Sequence, residues 1–254
     1  MKNLQNNLNI QEIQKNLKYK HNIEIFDSID STNKYLKSKI NEKNYGTIVI
    51  SNEQTNGYGK NDRQFISNKD TGIYMSILIN PNCLIEESLK ITILTSVAVL
   101  SAIKSVYNLD VKLKWVNDII LNDLKVGGIL CESQINLNTN IIDNMIVGIG
   151  INVKEFEFPP SLKNIATSIE NNTNIKRNEL ISEIINFFDL YFVEKTNYID
   201  LYKENSYVLG KDIKVIQNDR QFFAKAIDIE DNGALIVQEQ EKIIKLISSD
   251  ISIR

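Results

Sequence analysis

The sequence predicts an α+β protein: a mixed or antiparallel sheet packed with helices, followed by a small β-barrel. Three observations predict it. Apolar runs of strand length recur between turn-rich polar stretches from residue 23 to residue 153. One long helical run, residues 86–107, carries a stripe of Ile93, Val97, Leu100, Ile103 or Lys104, and Tyr107, widened by neighbouring Val and Ala, which suits hard packing against a sheet. After Gly210 the pattern becomes a series of short hairpins, the mark of a small barrel that packs onto a larger domain.

In chain order, Ile10, Ile13 and Leu17 recur at helical spacing in a polar N-terminal stretch and predict a short helix. Residues 23–26 read as a strand. Asp30, Ser31, Thr32 and Asn33 open a helix through Tyr35, Leu36 and Ile40; they serve as caps, or as a polar ligand pocket at a helix start. Residues 47–51 and 72–78 are strands, and Pro81 ends the second. Acidic residues open the long helix. Residues 111–115 and 119–121 are strands, and Asn122-Asp123 is a tight turn into the strand 125–132. Residues 145–153 form another strand, with Gly148 and Gly150 on one face; a ligand on the backbone and tight sheet packing both explain them. Helices are predicted at 165–170, 177–191 and 197–205, with Asn171 to Asn174 as loop. Strands follow at 213–216, 221–229, 234–237, 242–247 and 250–253, with turns at Asn218-Asp219 and Asn232-Gly233. A boundary near Gly210 divides a domain of residues 1–209, with 1–22 as a short extension, from the barrel of residues 210–254.

The 254 residues, 43% hydrophobic and 24% charged, suffice for one large domain or for a medium one plus a small one. A net charge of −3 argues against a dedicated nucleic-acid binder. Two distant cysteines, Cys83 and Cys131, and a single histidine, His21, argue against a Cys/His zinc site and against a Ser/His or Cys/His catalytic pair. No signal peptide or membrane-length run is read, and a reducing cytoplasm is the expected compartment.

The stretch between the strands at 47–51 and 72–78 holds the chain's most informative pattern. Gly57 and Gly59 allow backbone to approach a ligand, and Lys60 and Arg63 set two cations beside it. The bland alternative is a surface loop, since a short Gly-x-Gly is a weak signal. Four further segments accompany it in order: Ser31-Thr32-Asn33, Lys114-Trp115-Val116-Asn117-Asp118, Lys125-Val126-Gly127-Gly128-Ile129-Leu130-Cys131-Glu132, and Gly148-Ile149-Gly150-Ile151-Asn152.

Together, ahead of a small C-terminal barrel, these segments resemble the biotin protein ligases, the biotin–[acetyl-CoA-carboxylase] ligases, from about residue 23 to residue 254. The resemblance implies a class II synthetase-like biotin/lipoate ligase domain and an SH3-like barrel. The family loop reads Gly-Arg-Gly-Arg-x-x-Arg-x-Trp. Here Tyr58 stands for the first arginine, Lys60 for the second and Phe65 for the tryptophan; Val116 stands for the usual proline. With about 22 residues before the first core strand, the chain resembles the catalytic-only form.

The resemblance implies activation of biotin by ATP to biotinyl-5′-AMP, then transfer to a lysine of the biotin carboxyl carrier protein of acetyl-CoA carboxylase. It implies Lys114, Lys60 and Arg63 on carboxylate and phosphate oxygens, with Asp118 on Mg²⁺ or orienting Lys114. Biotin would meet Ser31, Thr32, Asn33, Gln54, Gly57, Tyr58, Lys60, Lys114, Gly128 and Gly148. ATP would meet Lys60, Asn61, Arg63, Phe65, Asn117, Lys125, Ile151, Asn152 and Arg254. The loop after Tyr58 would close over the water-sensitive adenylate. No nucleic-acid or membrane partner is implied, and a homodimer is allowed. The alternatives are a lipoate or octanoate ligase of the same fold, which lacks the Lys-Trp-x-Asn-Asp segment, and a non-catalytic biotin-binding regulator.

Overall fold

The computed structural model describes residues 7–136, 138–170, 175–217, 220–247 and 249–253. The readings for Asn171 to Asn174, Asn218-Asp219 and Arg254 lie outside them. Strand β1 (Asn22–Phe26) pairs in parallel with β2 (Thr47–Ser51) after a crossover through helix α2 (Thr32–Ser38). All later pairings in this sheet are antiparallel: β3 (Gly72–Ile79) with β2, β8 (Ile141–Asn152) with β3, then β7 (Leu124–Asn136), β6 (Asp118–Leu121) and β5 (Lys112–Lys114). A short β4 (Cys83–Leu84) joins β8. The result is the expected mixed sheet.

Every residue of β2 and β3 is buried, because both faces are covered. Ile48, Ile50, Ile73, Met75 and Ile77 belong to the main core with helices α3 (Leu89–Tyr107) and α4 (Arg177–Phe192). Val49, Leu78 and Ile146 form a second cluster with Leu36 of α2. The stretch Ile85–Tyr107 is long and apolar enough to cross a membrane by length and composition, which corrects the reading of the sequence. Its core window is 72% buried inside the protein, which is how a central core helix behaves.

The segment at 165–170 forms no helix. Ala166 bridges Lys125 and Glu170 bridges Lys154 in extended pairing, with the Lys125 N–H donating to the Ile165 carbonyl at 2.8 Å. A six-residue helix is marginal alone, and two open strand ends compete for its backbone. Asn122 and Asp123 have φ of 50° and 64°, the pattern of a type I′ turn.

The short helix α1 (Ile10–Lys15) does form, with Asn9 as its N-cap and Ile13 fully buried. A polar ladder on α4 holds it. Asn178 Nδ2 donates to the Asn7 carbonyl at 3.0 Å, Ser182 Oγ to Ile13 at 3.0 Å, and Asn186 Nδ2 to Asn16 at 2.9 Å. The spacing of four residues puts all three on one face of α4. Arg177, at the start of α4, is 1% exposed. Its Nε donates to the Gly72 carbonyl and its Nη2 to Asn52 Oδ1, each at 2.8 Å, and Asp70 lies 3.7 Å from Nη1. This clamps both ends of the connection between β2 and β3. After helix α5 (Ile199–Glu204), strands β9 (Asp212–Gln217), β10 (Arg220–Ile229), β11 (Leu235–Glu239), β12 (Lys242–Leu246) and β13 (Asp250–Ile253) form the small SH3-like antiparallel sheet, in the order β12-β11-β10-β9-β13.

His21 closes the N-terminal seam. Its Nε2 lies 2.7 Å from Asp189 Oδ2 and its Nδ1 3.1 Å from the Gly46 carbonyl. Both partners only accept, so the doubly protonated ring satisfies both. The Asp189 hydrogen bond holds the imidazole above its ordinary pKa against the opposing effect of burial. The stabilisation is therefore complete below the unfolded value of about 6.5 and is lost as pH rises through the higher folded value. The urea midpoint of wild type relative to His21→Gln is expected to fall as pH is raised from about 5 to about 8. A difference that grows with pH would refute this assignment.

Candidate active site

A cleft of about 190 Å³ opens where β3, β7 and β8 meet the start of α2, the loop after β2, the β5–β6 turn and the last strand of the small sheet. Its closed end is polar but buried. Ser31 caps α2, while Thr32 and Asn33 are each 4% exposed. Thr32 donates from N and Oγ1 to Gln54 Oε1 at 2.9 and 3.2 Å, and Gln54 Nε2 donates to Ser67 Oγ at 3.0 Å. Ser76 Oγ lies 2.7 Å from Thr32 Oγ1 and 2.5 Å from Asn33 Oδ1. Ser31 caps α2 as the sequence suggests, and Thr32 and Asn33 line the polar wall of the cleft.

The loop is a tight hairpin. The Gly59 N–H donates to Arg63 O at 2.8 Å, the Phe65 N–H to Gly57 O at 2.9 Å, and Asn61 turns the tip with φ of 57°. A Cβ on Gly57 would lie 2.6 Å from both Phe65 O and Ser67 Oγ, so this glycine serves the hairpin's closure. Tyr58, Lys60, Arg63 and Phe65 line the cleft, whereas Gly57 and Asn61 do not. Lys60 Nζ reaches the Ser249 carbonyl at 3.3 Å. Gly148 and Gly150 make room for the protein's own side chains. A Cβ at 148 would strike the Asn33 amide, and one at 150 would lie 2.8 Å from the Phe65 ring.

On the opposite wall, Lys114 is half-buried and has no hydrogen-bond or ion-pair partner among the described residues. Trp115 is buried and donates from Nε1 to the Gly233 carbonyl at 2.9 Å, docking the small sheet. The Trp115–Val116 peptide is cis. Asn117 Nδ2 donates to the Ile129 carbonyl at 2.9 Å, and Asp118 pairs with Lys125 at 2.5 Å. Gly128 also lies on the wall.

Two expected nucleotide residues are placed elsewhere. Ile151 is fully buried in the main core, because alternation along β8 turns it away from Gly148 and Gly150. Asn152 is buried and donates from Nδ2 to the Thr167 carbonyl at 3.0 Å. Neither lines the cleft. Sequence reading missed Ser249 and Ile251, which the small sheet brings to the cleft, and Ser76, which lies behind it. Glu132, which ends the Lys125 segment read in the sequence but is given no role there, accepts hydrogen bonds from Tyr58 and Asn33. Burial raises the Glu132 pKa, but hydrogen bonds from Tyr58, Asn33 and Lys37 outweigh it and hold the carboxyl below its usual value.

The cleft thus joins a hydrogen-bonding end to a cationic end. Among the described residues, Lys60, Arg63, Lys114 and Lys125 line it against one carboxylate, Asp118. Such a surface suits a ligand with a polar head and an anionic tail meeting further anions. No cluster of three or more potential metal-ligating His, Cys, Asp or Glu side chains occurs among the described residues.

Residues 25–152 match the model of the biotin/lipoate A/B protein ligase family. The chain belongs to that family. Residues 208–254 match the biotin protein ligase C terminal domain, which places the chain with the biotin protein ligases, a group of ligase enzymes. Among similar relatives, the bifunctional ligase/repressor BirA of Bacillus spizizenii is 34% identical over 238 residues, covering 89% of this chain and 72% of the relative. BirA of Escherichia coli K12 is 27% identical over 240 residues, covering 91% and 74%. The biotin protein ligase from Aquifex aeolicus in complex with biotin and ATP superposes with a TM-score of 0.75 at 24% identity, over 92% of this chain and 99% of that one. That likeness establishes the shared fold.

Proposed function

We propose that the cleft joins biotin and ATP to form biotinyl-5′-AMP and pyrophosphate, and that biotin then passes to a lysine of the biotin carboxyl carrier protein of acetyl-CoA carboxylase. The supporting observation is the pairing of the closed polar end at Thr32, Asn33 and Gln54 with a cationic end at Lys114, Lys60 and Arg63. An apolar ring with a urea edge fits the first, and a carboxylate facing a triphosphate fits the second.

In this reading Ser31, Thr32, Asn33 and Gln54 orient the urea, Gly148 lets Asn33 sit against β8 to do so, and Gly128 lies on the facing wall. The carboxylate oxygen attacks the α-phosphorus, and the bond to the β,γ-pyrophosphate breaks. Lys114, Lys60 and Arg63 offset the repulsion between the two anions and the charge that moves onto the leaving group. Phe65 offers a face for adenine. In the second step the carrier's amine attacks the acyl carbon and AMP leaves, so no covalent bond to the enzyme forms. Asp118, which pairs with Lys125 at 2.5 Å, would hold Mg²⁺ together with substrate phosphates only by sharing or releasing that lysine, and the ion would supply charge neutralisation there.

Incubation with biotin, ATP, Mg²⁺ and a carrier domain is expected to add one biotinyl group to one carrier lysine, read by intact mass and peptide mapping. Absence of any biotin-dependent ATP–pyrophosphate exchange would sink the reading. A carrier modified by lipoate or octanoate but not by biotin would favour the lipoate branch of the family.

A further inference from the structure

One carboxylate behind the cleft ties three elements together. Glu132 Oε2, on β7, accepts from the Tyr58 hydroxyl at 2.6 Å and from Asn33 Nδ2 at 2.8 Å; its Oε1 accepts from Lys37 Nζ at 3.3 Å. Lys34, one turn before Lys37 on α2, lies 5.3 Å from the centre of the Tyr58 ring. The Glu132 side chain is 22% exposed and does not line the cleft, whereas Tyr58 and Asn33 do.

The chemistry of the carboxylate fixes the geometry of its neighbours. An ionised carboxylate only accepts hydrogen bonds, so the Asn33 atom facing it is the NH₂ group. The second contact of that nitrogen, to the Leu130 carbonyl at 3.4 Å, is also to an acceptor. Both N–H groups of Asn33 are therefore taken by protein acceptors, and its oxygen, already taking Ser76, keeps a lone pair. The same carboxylate fastens the loop through Tyr58.

We propose that Glu132 is a positioning residue for this site, locking Asn33 as an acceptor for a ligand N–H and latching the loop over the cleft through the Tyr58 hydroxyl. The inference rests on the biotin reading only for the identity of the N–H donor, which a urea supplies. A ligand that brought an acceptor to Asn33 would leave two acceptors facing each other. A neutral amide at 132 has one acceptor oxygen where the carboxylate has two, carries no charge and can donate instead, so it would weaken both constraints with little change in volume.

Glu132→Gln is the test. The KM for biotin in pyrophosphate exchange is expected to rise at least about tenfold, the size of a lost hydrogen bond to a charged group, with kcat within about threefold. In the ligand-free protein, amide hydrogen exchange at Gly59 and Phe65 is expected to speed up about tenfold. Tyr58→Phe, which keeps the ring, should produce the same loop acceleration, and the double variant should add nothing further. Unchanged loop exchange in both single variants overturns the latch. A lower melting temperature with KM unmoved overturns the positioning role. Loop exchange needs no substrate, so it decides the latch even if wild type proves inactive with biotin, a result that would sink the function reading alone.

Discussion

Lys114→Ala is expected to lower biotin-dependent ATP–pyrophosphate exchange by about a thousandfold, the upper range for removing one preorganised charge-stabilising group. The melting transition is expected to stay near that of wild type. The second expectation follows from the first structural fact about this side chain: it makes no hydrogen bond or ion pair among the described residues. Its removal leaves no buried partner unsatisfied, so the fold loses little. Its position explains the first. Lys114 ends β5 and faces a cleft where two anions must meet, and Lys125, the next lysine on that wall, already neutralises Asp118 at 2.5 Å. Lys114→Arg should recover only part of the rate, since a planar fork does not reproduce a compact ammonium. Exchange by Lys114→Ala within about tenfold of wild type would remove Lys114 from the mechanism.

Gly148→Ala is expected to weaken biotin binding by about a hundredfold, measured by calorimetry, an overpacking cost of about 3 kcal/mol. The new Cβ would strike the Asn33 amide. That amide cannot move aside easily, because Ser76, Glu132 and the Leu130 carbonyl hold it. The contrast within the same cleft is Gly59→Ala, whose Cβ would meet nothing nearer than the Arg63 carbonyl at 3.7 Å; a far smaller loss is expected there. Equal affinities for Gly148→Ala and wild type would show that Asn33 does not set the biotin site.

Local signals carried most of the fold. The strands β2 and β3 are apolar runs bounded by turn residues, and α3 announces itself by length. The failures came where distant backbone competes. Residues 165–170 look helical by composition, but the free edges at Lys125 and Lys154 recruit them. In the site, the Ser31 segment, the loop and the Lys114 segment are legible because each is contiguous. Glu132 and Ser249 were not, since their partners Tyr58 and Lys60 lie 74 and 189 residues away in sequence. The two glycines of β8 were visible, yet what fills the space above them, Asn33 and Phe65, is a property of packing alone.

Helix α4 has a practical consequence for anyone building with this chain. Asn178, Ser182 and Asn186 hold the carbonyls of Asn7, Ile13 and Asn16, and Asp189 holds His21. The natural cut site suggested by the first sheet strand, just before Asn22, would strip those donors of their acceptors and bare the pocket of Ile13. A fusion partner or affinity tag therefore belongs ahead of residue 7. A library that randomises residues 7–21 should vary α4 alongside them, because the two segments form one interlocking unit despite the distance between them along the chain.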